Sequence, residues 1–239
     1  MIPGQSIALD RLPLLDGLPA AARERLLEDA RLRDCDRGAL LFEEGAAADR
    51  LFVLLSGAVE LYTSAEGRDA VLLILWPPET FLPAAALTDE PYLLSARTLS
   101  PSRLLALDAA RVRTVVRECP VLAHRITQIL SGQCRTAVRH IKDLKLRSAP
   151  QRLGAFLLRL VDETGRDGCA DLPVAKATIA SRLDLSAETL SRALHVLREE
   201  GLTVRGSRLV LHDRERFERF CAPDPLIDGP EPELPVAAV

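Results

Sequence analysis

The strongest constraint on this chain is a change of hydrophobic period near Asp108. From Arg33 to about Leu107 the apolar residues form short continuous or alternating runs, ALLFEEG, RLFVLLSGAVELYT, AVLLILW and RLLALD, punctuated by Gly38, Gly45, Gly57 and Gly67. Such runs predict short strands closed into a small β-barrel or roll. Ahead of them PAAARERLLEDARL reads as a short amphipathic helix. Beyond Asp108 the spacing turns helical: DAARVRTVVREC is a short helix, Pro120 breaks it, and residues 121–146 run without proline for about seven turns. The fold class this predicts is α+β.

Within the long helix Leu130, Cys134, Ala137, Ile141 and Leu144 are spaced 4, 3, 4, 3. That is an a/d seam able to face a second copy of itself, so these five residues are the candidate dimer interface. Ile126 and Ile129 point elsewhere and are expected to pack on the roll of their own chain. The competing reading is an intramolecular core helix, because the seam is only about two heptads long. APQRLGAFLLRLVDETG then predicts another helix, and GRDGCADLP a turn into a short strand.

From Pro173 the order is a helix of about two turns in VAKATIASRLDL, a turn at Asp184 to Ser186, a longer helix in SAETLSRALHVLREEG, and a hairpin around Arg205-Gly206-Ser207. Two short helices followed by a two-stranded wing describe a winged helix-turn-helix. Ser186 caps the second helix, and Leu190, Leu194 and Leu197 mark its buried side, facing Ile179, Ala180 and Leu183 of the first. The other side of its first turn carries Glu188, Thr189, Ser191 and Arg192. Arg192 suits guanine O6 and N7, Glu188 a cytosine amino group, and Ser191 or Thr189 a base edge or a thymine methyl. Lys176, at the start of the first helix, is placed for a phosphate. Against this stands the plainer reading of Glu188 and Arg192 as an i, i+4 surface ion pair.

Charge and composition narrow the classes further. Residues 145–221 hold 14 basic and 11 acidic side chains, residues 1–144 hold 17 and 19, and the Pro-rich end adds four acids. The expected organisation is a roll over 1–120, a dimerisation helix over 121–146, a winged helix over 147–221 and a disordered acidic tail over 222–239. No apolar run reaches the roughly 18–20 residues of a membrane span, and the N-terminus lacks the pattern of a secretory leader, so a cytoplasmic location without membrane association is expected. The five cysteines are scattered and form no C-x-x-C pair, which argues against a disulfide framework or a zinc site. No G-x-S-x-G, H-E-x-x-H or phosphate-cradling glycine loop points to an enzyme.

Taken together, RGALLFEEG, LFVLLSGAVELY, the long helix and ETLSRALHVLREEGL resemble the cyclic-AMP receptor protein and FNR superfamily of bacterial transcription regulators, from about Leu14 to Phe220. Glu188, Ser191 and Arg192 match the recognition-helix pattern of its FNR-like branch. The resemblance implies a homodimer on double-stranded DNA, a palindrome of TTGAT-like half-sites, and RNA polymerase as a further partner. Relatives that bind cyclic nucleotides carry Gly-Glu and then Arg-Ser in their phosphate-binding stretch. Here Leu82 and Pro83 stand for the first pair and Tyr92 and Leu93 for the second, so a charge-assisted phosphate partner is missing and cyclic AMP is not the expected ligand. Arg97 is nearby, on what reads as the exposed face of a strand.

No cysteine precedes Cys35, so the iron–sulfur cluster of the oxygen-sensing branch is not expected either. ETF, AAALTDEPYLLSA and LHDRERFERF are similar to the nitric-oxide-responsive branch, which implies haem as cofactor. No haem ligand can be matched: His124 and His140 fall on the long helix, His195 in the DNA-reading helix and His212 beyond the wing. Cys134 reads either as a small packing residue or as a thiol able to meet its copy and oxidise. The alternatives left open are control by thiol redox, by another small ligand, or by a cyclic nucleotide at a degenerate site.

Overall fold

A computed structural model describes residues 12–65 and 67–229. The chain divides into two compact units, Met1–Gln133 and Cys134–Val239. The extreme N-terminus and the last ten residues of the acidic tail, both covered by the expectations above, lie outside the described residues.

In the first unit α1 (Ala20–Leu27) precedes eight strands: β1 (Arg31–Cys35), β2 (Leu40–Phe42), β3 (Arg50–Ser56), β4 (Val59–Ala65), β5 (Arg68–Leu75), β6 (Glu79–Phe81), β7 (Ser95–Thr98) and β8 (Ser102–Asp108), with α2 (Pro83–Thr88) between β6 and β7. They form two antiparallel four-stranded sheets, ordered β1-β8-β3-β6 and β2-β7-β4-β5. Phe52, Leu54, Phe81, Leu104 and Ala106 of one sheet meet Leu41, Phe42, Val59, Leu61 and Ala96 of the other in one core. The alternate residues Leu51, Val53, Leu105 and Leu107 turn the other way, into a second core with Leu26 of α1 and with α3 (Ala109–Glu118) and the start of α4 (Pro120–Leu146). β3 and β8 are thus covered on both faces, which is why they read as unbroken apolar runs rather than alternating ones. Gly57 turns β3 into β4 with φ +91°, and a Cβ there would lie 2.7 Å from the Ser102 Cα, so no side chain fits.

The long helix is present as expected, with Pro120 at its first position, where a missing N–H costs nothing. Leu122 and Ile126 are buried in the second core, with Ile129 and Leu130 packed against it. In the second unit the rest of α4 is followed by α5 (Ala149–Thr164), β9 (Cys169–Asp171), α6 (Lys176–Arg182), α7 (Ala187–Glu199), the hairpin β10 (Leu202–Arg205) and β11 (Arg208–Leu211), and α8 (Arg214–Cys221). Leu153, Leu157, Ile179, Ala193, Leu197, Leu202, Leu209 and Phe217 make its core. Gly154 lets α8 lie close to α5, since a Cβ there would sit 2.6 Å from Cys221 Sγ.

Several sequence expectations need correction. Arg31 and Leu32 belong to β1, not to the helix before it. The strand read around Arg97 is β7, but two elements, β6 and α2, were not expected from the pattern; they are three and six residues long, too short for a period to show. Residues 222–229 are not a disordered tail: they include a further turn, α9 (Pro225–Asp228), with Ile227 buried. Its proline and acids are structural, Pro225 at the first helical position and Asp224 accepting from the Leu226 amide as cap. Arg97 is not on an open strand face either, as described below.

Candidate nucleic-acid interface

The helix-turn-helix is set by the turn between α6 and α7. Leu183 and Leu185 are buried on either side of Asp184, which takes the left-handed conformation with φ +54°. Aspartate is one of the few residues apart from glycine that visits this region readily. Arg152 of α5 donates from Nε and Nη2 to the Leu183 carbonyl at 3.2 and 3.1 Å, satisfying the end of α6. Ser186 then caps α7, its Oγ accepting from the Thr189 amide at 3.1 Å. Each of these contacts fixes the direction in which α7 leaves the turn.

The buried side of α7 is centred on Ala193 and Leu197, while Leu190 and Leu194, expected to be buried, are only partly so. They border an open apolar recess with Leu153, Leu157 and Val204. Opposite this side Glu188, Ser191 and Arg192 are exposed. Arg192 Nη2 lies 3.6 Å from Glu188 Oε1, so the surface ion pair foreseen as the plainer reading does form. Both side chains stay largely solvent-exposed, and a pair of that kind contributes only about 0.3–0.5 kcal/mol, which a stronger partner readily displaces. Thr189 is different: its hydroxyl faces Ser186 Oγ at 2.9 Å and belongs to the cap. Lys176 opens α6 and is half-buried. In the wing Leu202 and Leu209 are buried while Arg205, Gly206, Ser207 and Arg208 at the tip are exposed. Sequence reasoning gave the wing but not these two arginines, although two cations flanking Gly-Ser in a hairpin were a readable signal.

On α4 the seam residues Cys134, Ala137 and Ile141 are exposed and Leu144 half-exposed, with Val138 beside them. At 52% and 56% exposure Val138 and Ile141 form an apolar stripe left uncovered by the described residues.

The roll interior is closed by its own side chains. Phe42 stacks on Tyr92 with ring centroids 3.9 Å apart, on Phe52 at 5.5 Å and near Phe81 at 6.2 Å; Phe52 and Phe81 are 5.7 Å apart. Tyr92 donates to the Arg50 carbonyl at 2.6 Å, and burial pushes its phenol up to about 12. Leu93, by contrast, is 80% exposed. The buried hydroxyl of this stretch is Ser95, two residues further on, whose Oγ accepts from the Glu44 amide at 2.9 Å. Arg97 is only one-third exposed, ion-paired to Glu60, at 2.7 Å to Asp69, and 4.3 Å above the Tyr62 ring. Glu60 is 3% exposed, so this guanidinium neutralises a buried carboxylate and is not free to hold a ligand phosphate.

A capped helix-turn-helix with a wing, on a chain that also carries a two-sheet roll and a long helix, defines a DNA-binding regulator of transcription. Residues 32–119 match the cyclic nucleotide-binding domain family, and residues 151–220 match the Crp-like helix-turn-helix domain family. The two matches together take in well over half of the chain, and the protein belongs to the CRP/FNR family of regulators. It is 26% identical over 217 residues to the CRP-like cAMP-activated global transcriptional regulator of Mycobacterium tuberculosis, covering 88% of this chain and 97% of that one. It is 29% identical over 192 residues to the cyclic AMP receptor protein of Thermus thermophilus, covering 80% and 87%. In fold it is similar to FixK2 from Bradyrhizobium japonicum, with a TM-score of 0.69, 22% identity and coverage of 80% and 96%. The first two of these relatives are transcription regulators, and the family is not one of enzymes. Among the described residues no helix is long and apolar enough to cross a membrane.

Proposed function

We propose that the protein binds a palindrome of TTGAT-like half-sites as a homodimer in the cytoplasm, placing one α7 in each of two successive major grooves and acting on RNA polymerase from there. The observation that carries this reading is the exposed, capped first turn of α7, where Glu188, Ser191 and Arg192 face away from the core. Burial of the stripe Cys134, Ala137, Val138 and Ile141 against a second copy supplies the dimer. Lys176 holds a phosphate: Lys176→Ala is expected to weaken all DNA sequences alike and to lower the salt slope by about one unit, measured by titrating affinity against salt.

Two relatives are named for cyclic AMP, but this chain's roll is filled by Phe42, Phe52, Phe81 and Tyr92, and Arg97 is already engaged. Neither feature favours that ligand. Haem and nitric oxide, implied by sequence resemblance, do not fit the residues present. The first unit holds one histidine, His124, which is exposed; His140 is half-buried, His195 and His212 are exposed in the second unit, and the aromatic core of the roll carries no histidine among its buried residues. A second reading, control by thiol oxidation, is favoured by the exposure of Cys134 on the seam.

Fluorescence anisotropy on the palindrome at fixed salt tests these readings. Apo protein is expected to bind, with no change on adding cyclic AMP. Tightening of tenfold or more by cyclic AMP, a differential affinity of about 1.4 kcal/mol, would refute the closed-roll reading. Tightening by ferrous haem with NO would refute the poor fit of haem. A response to oxidant that Cys134→Ser abolishes would establish the thiol reading, and one that persists would remove it.

A further inference from the structure

The residues after α8 return to the junction of α4 and α5. Only Arg147 and Ser148 join these two helices. The Arg147 side chain is almost fully buried there: Nη1 donates to Asp143 Oδ1 at 3.0 Å and to Asp228 Oδ1 at 2.8 Å, while Nη2 donates to the Ala222 carbonyl at 3.1 Å and to Asp228 Oδ2. Its carbonyl accepts from Arg152 Nη1 at 3.0 Å. Asp143 belongs to the last turn of α4, so on its own it would tie Arg147 only to its own helix. Asp228 and Ala222 come from beyond α8. They are held in place by the buried Ile227, by the Asp224 amide donating to Asp228 Oδ2 at 2.9 Å, and by Lys142 of α4 lying 3.6 Å from Asp224.

We propose that residues 222–228 are a strap that fixes the angle at which α4 continues into α5, and so sets where α7 lies relative to the dimer seam. The inference rests on the dimeric, palindrome-binding reading above. A two-residue connection leaves few backbone torsions, and a bidentate, buried guanidinium–carboxylate pair removes most of their remaining freedom. With the angle fixed in advance, binding one half-site brings the second α7 to its groove without a further ordering cost. Freed of the strap, each winged helix still reads a half-site, but the two no longer arrive together.

The test compares wild type, Asp228→Asn and Asp228→Ala on a palindrome and on an isolated half-site, with hydrogen exchange of residues 145–152 followed in the DNA-free protein. The expected result is a loss of about tenfold or more on the palindrome, under about twofold on the half-site, and about tenfold faster exchange at the junction. An equal loss on both DNAs means damage to the winged helix and overturns the strap, as does unchanged exchange with unchanged affinity. If wild type binds palindrome and half-site alike, the dimeric operator reading fails, and exchange alone then decides the strap: faster in both variants sustains it, unchanged refutes it.

Discussion

Phe81→Ala should lower the stability of the roll by about 3–5 kcal/mol, the usual cost of emptying a buried aromatic site. Phe81 is one of the largest fully buried side chains in the protein, and its ring is flanked by Phe52 and Phe42. The rings of Phe42, Phe52 and Phe81 form a triangle with sides of 5.5, 5.7 and 6.2 Å, and Phe42 is also stacked on Tyr92, so neither neighbour moves into the vacated space without loosening its other ring contacts, and the upper part of that range is expected. Urea unfolding of the variant against wild type measures the loss, and Phe81→Leu should lose clearly less. A loss under about 1 kcal/mol would show that the interior is loosely filled, and would reopen the roll as a ligand site. The outcome therefore bears on function as well as on folding.

The second large effect concerns Arg192. Arg192→Ala is expected to cost about 1–3 kcal/mol of affinity per half-site and to relax base preference at one position of each. The guanidinium reaches solvent at the first turn of α7, and its partner Glu188 is itself exposed, so leaving that pair costs little. Both subunits lose the contact together, which doubles the effect on a palindrome relative to a single site. Anisotropy on a panel of single-base variants of the half-site is the measurement. Unchanged affinity and unchanged preference would remove α7 as the reading helix.

How much of this was legible beforehand follows the length of each element. The period change at Asp108, the 27-residue α4 and the α6–α7–wing order were readable, because several turns or several strands repeat the same signal. β6 and α2 were not, since tertiary contacts rather than pattern hold such short pieces. The cap at Ser186 and the exposure of Glu188, Ser191 and Arg192 followed from spacing alone, but the engagement of Thr189 in that cap did not. Charge was misread twice for one reason. Arg97 and the acids of residues 224–228 looked solvated because sequence shows a charge without its partner, and the partners Glu60 and Arg147 lie 37 and 81 positions away.

The contact of Gly154 with Cys221 ties this C-terminal arrangement to the inside of the domain. Burial pushes the Cys221 thiol up to about 12, so at neutral pH it is an uncharged filler whose size matters more than its reactivity. A methyl group at position 154 would meet that sulfur, displace α8, and with α8 the root of the strap one residue later. Positions 154 and 221 are therefore free to drift only as a pair, a gain of volume at one matched by a loss at the other. A substitution at Gly154 alone is expected to lower the stability of the second unit and to be felt through α8 at residues 222–228.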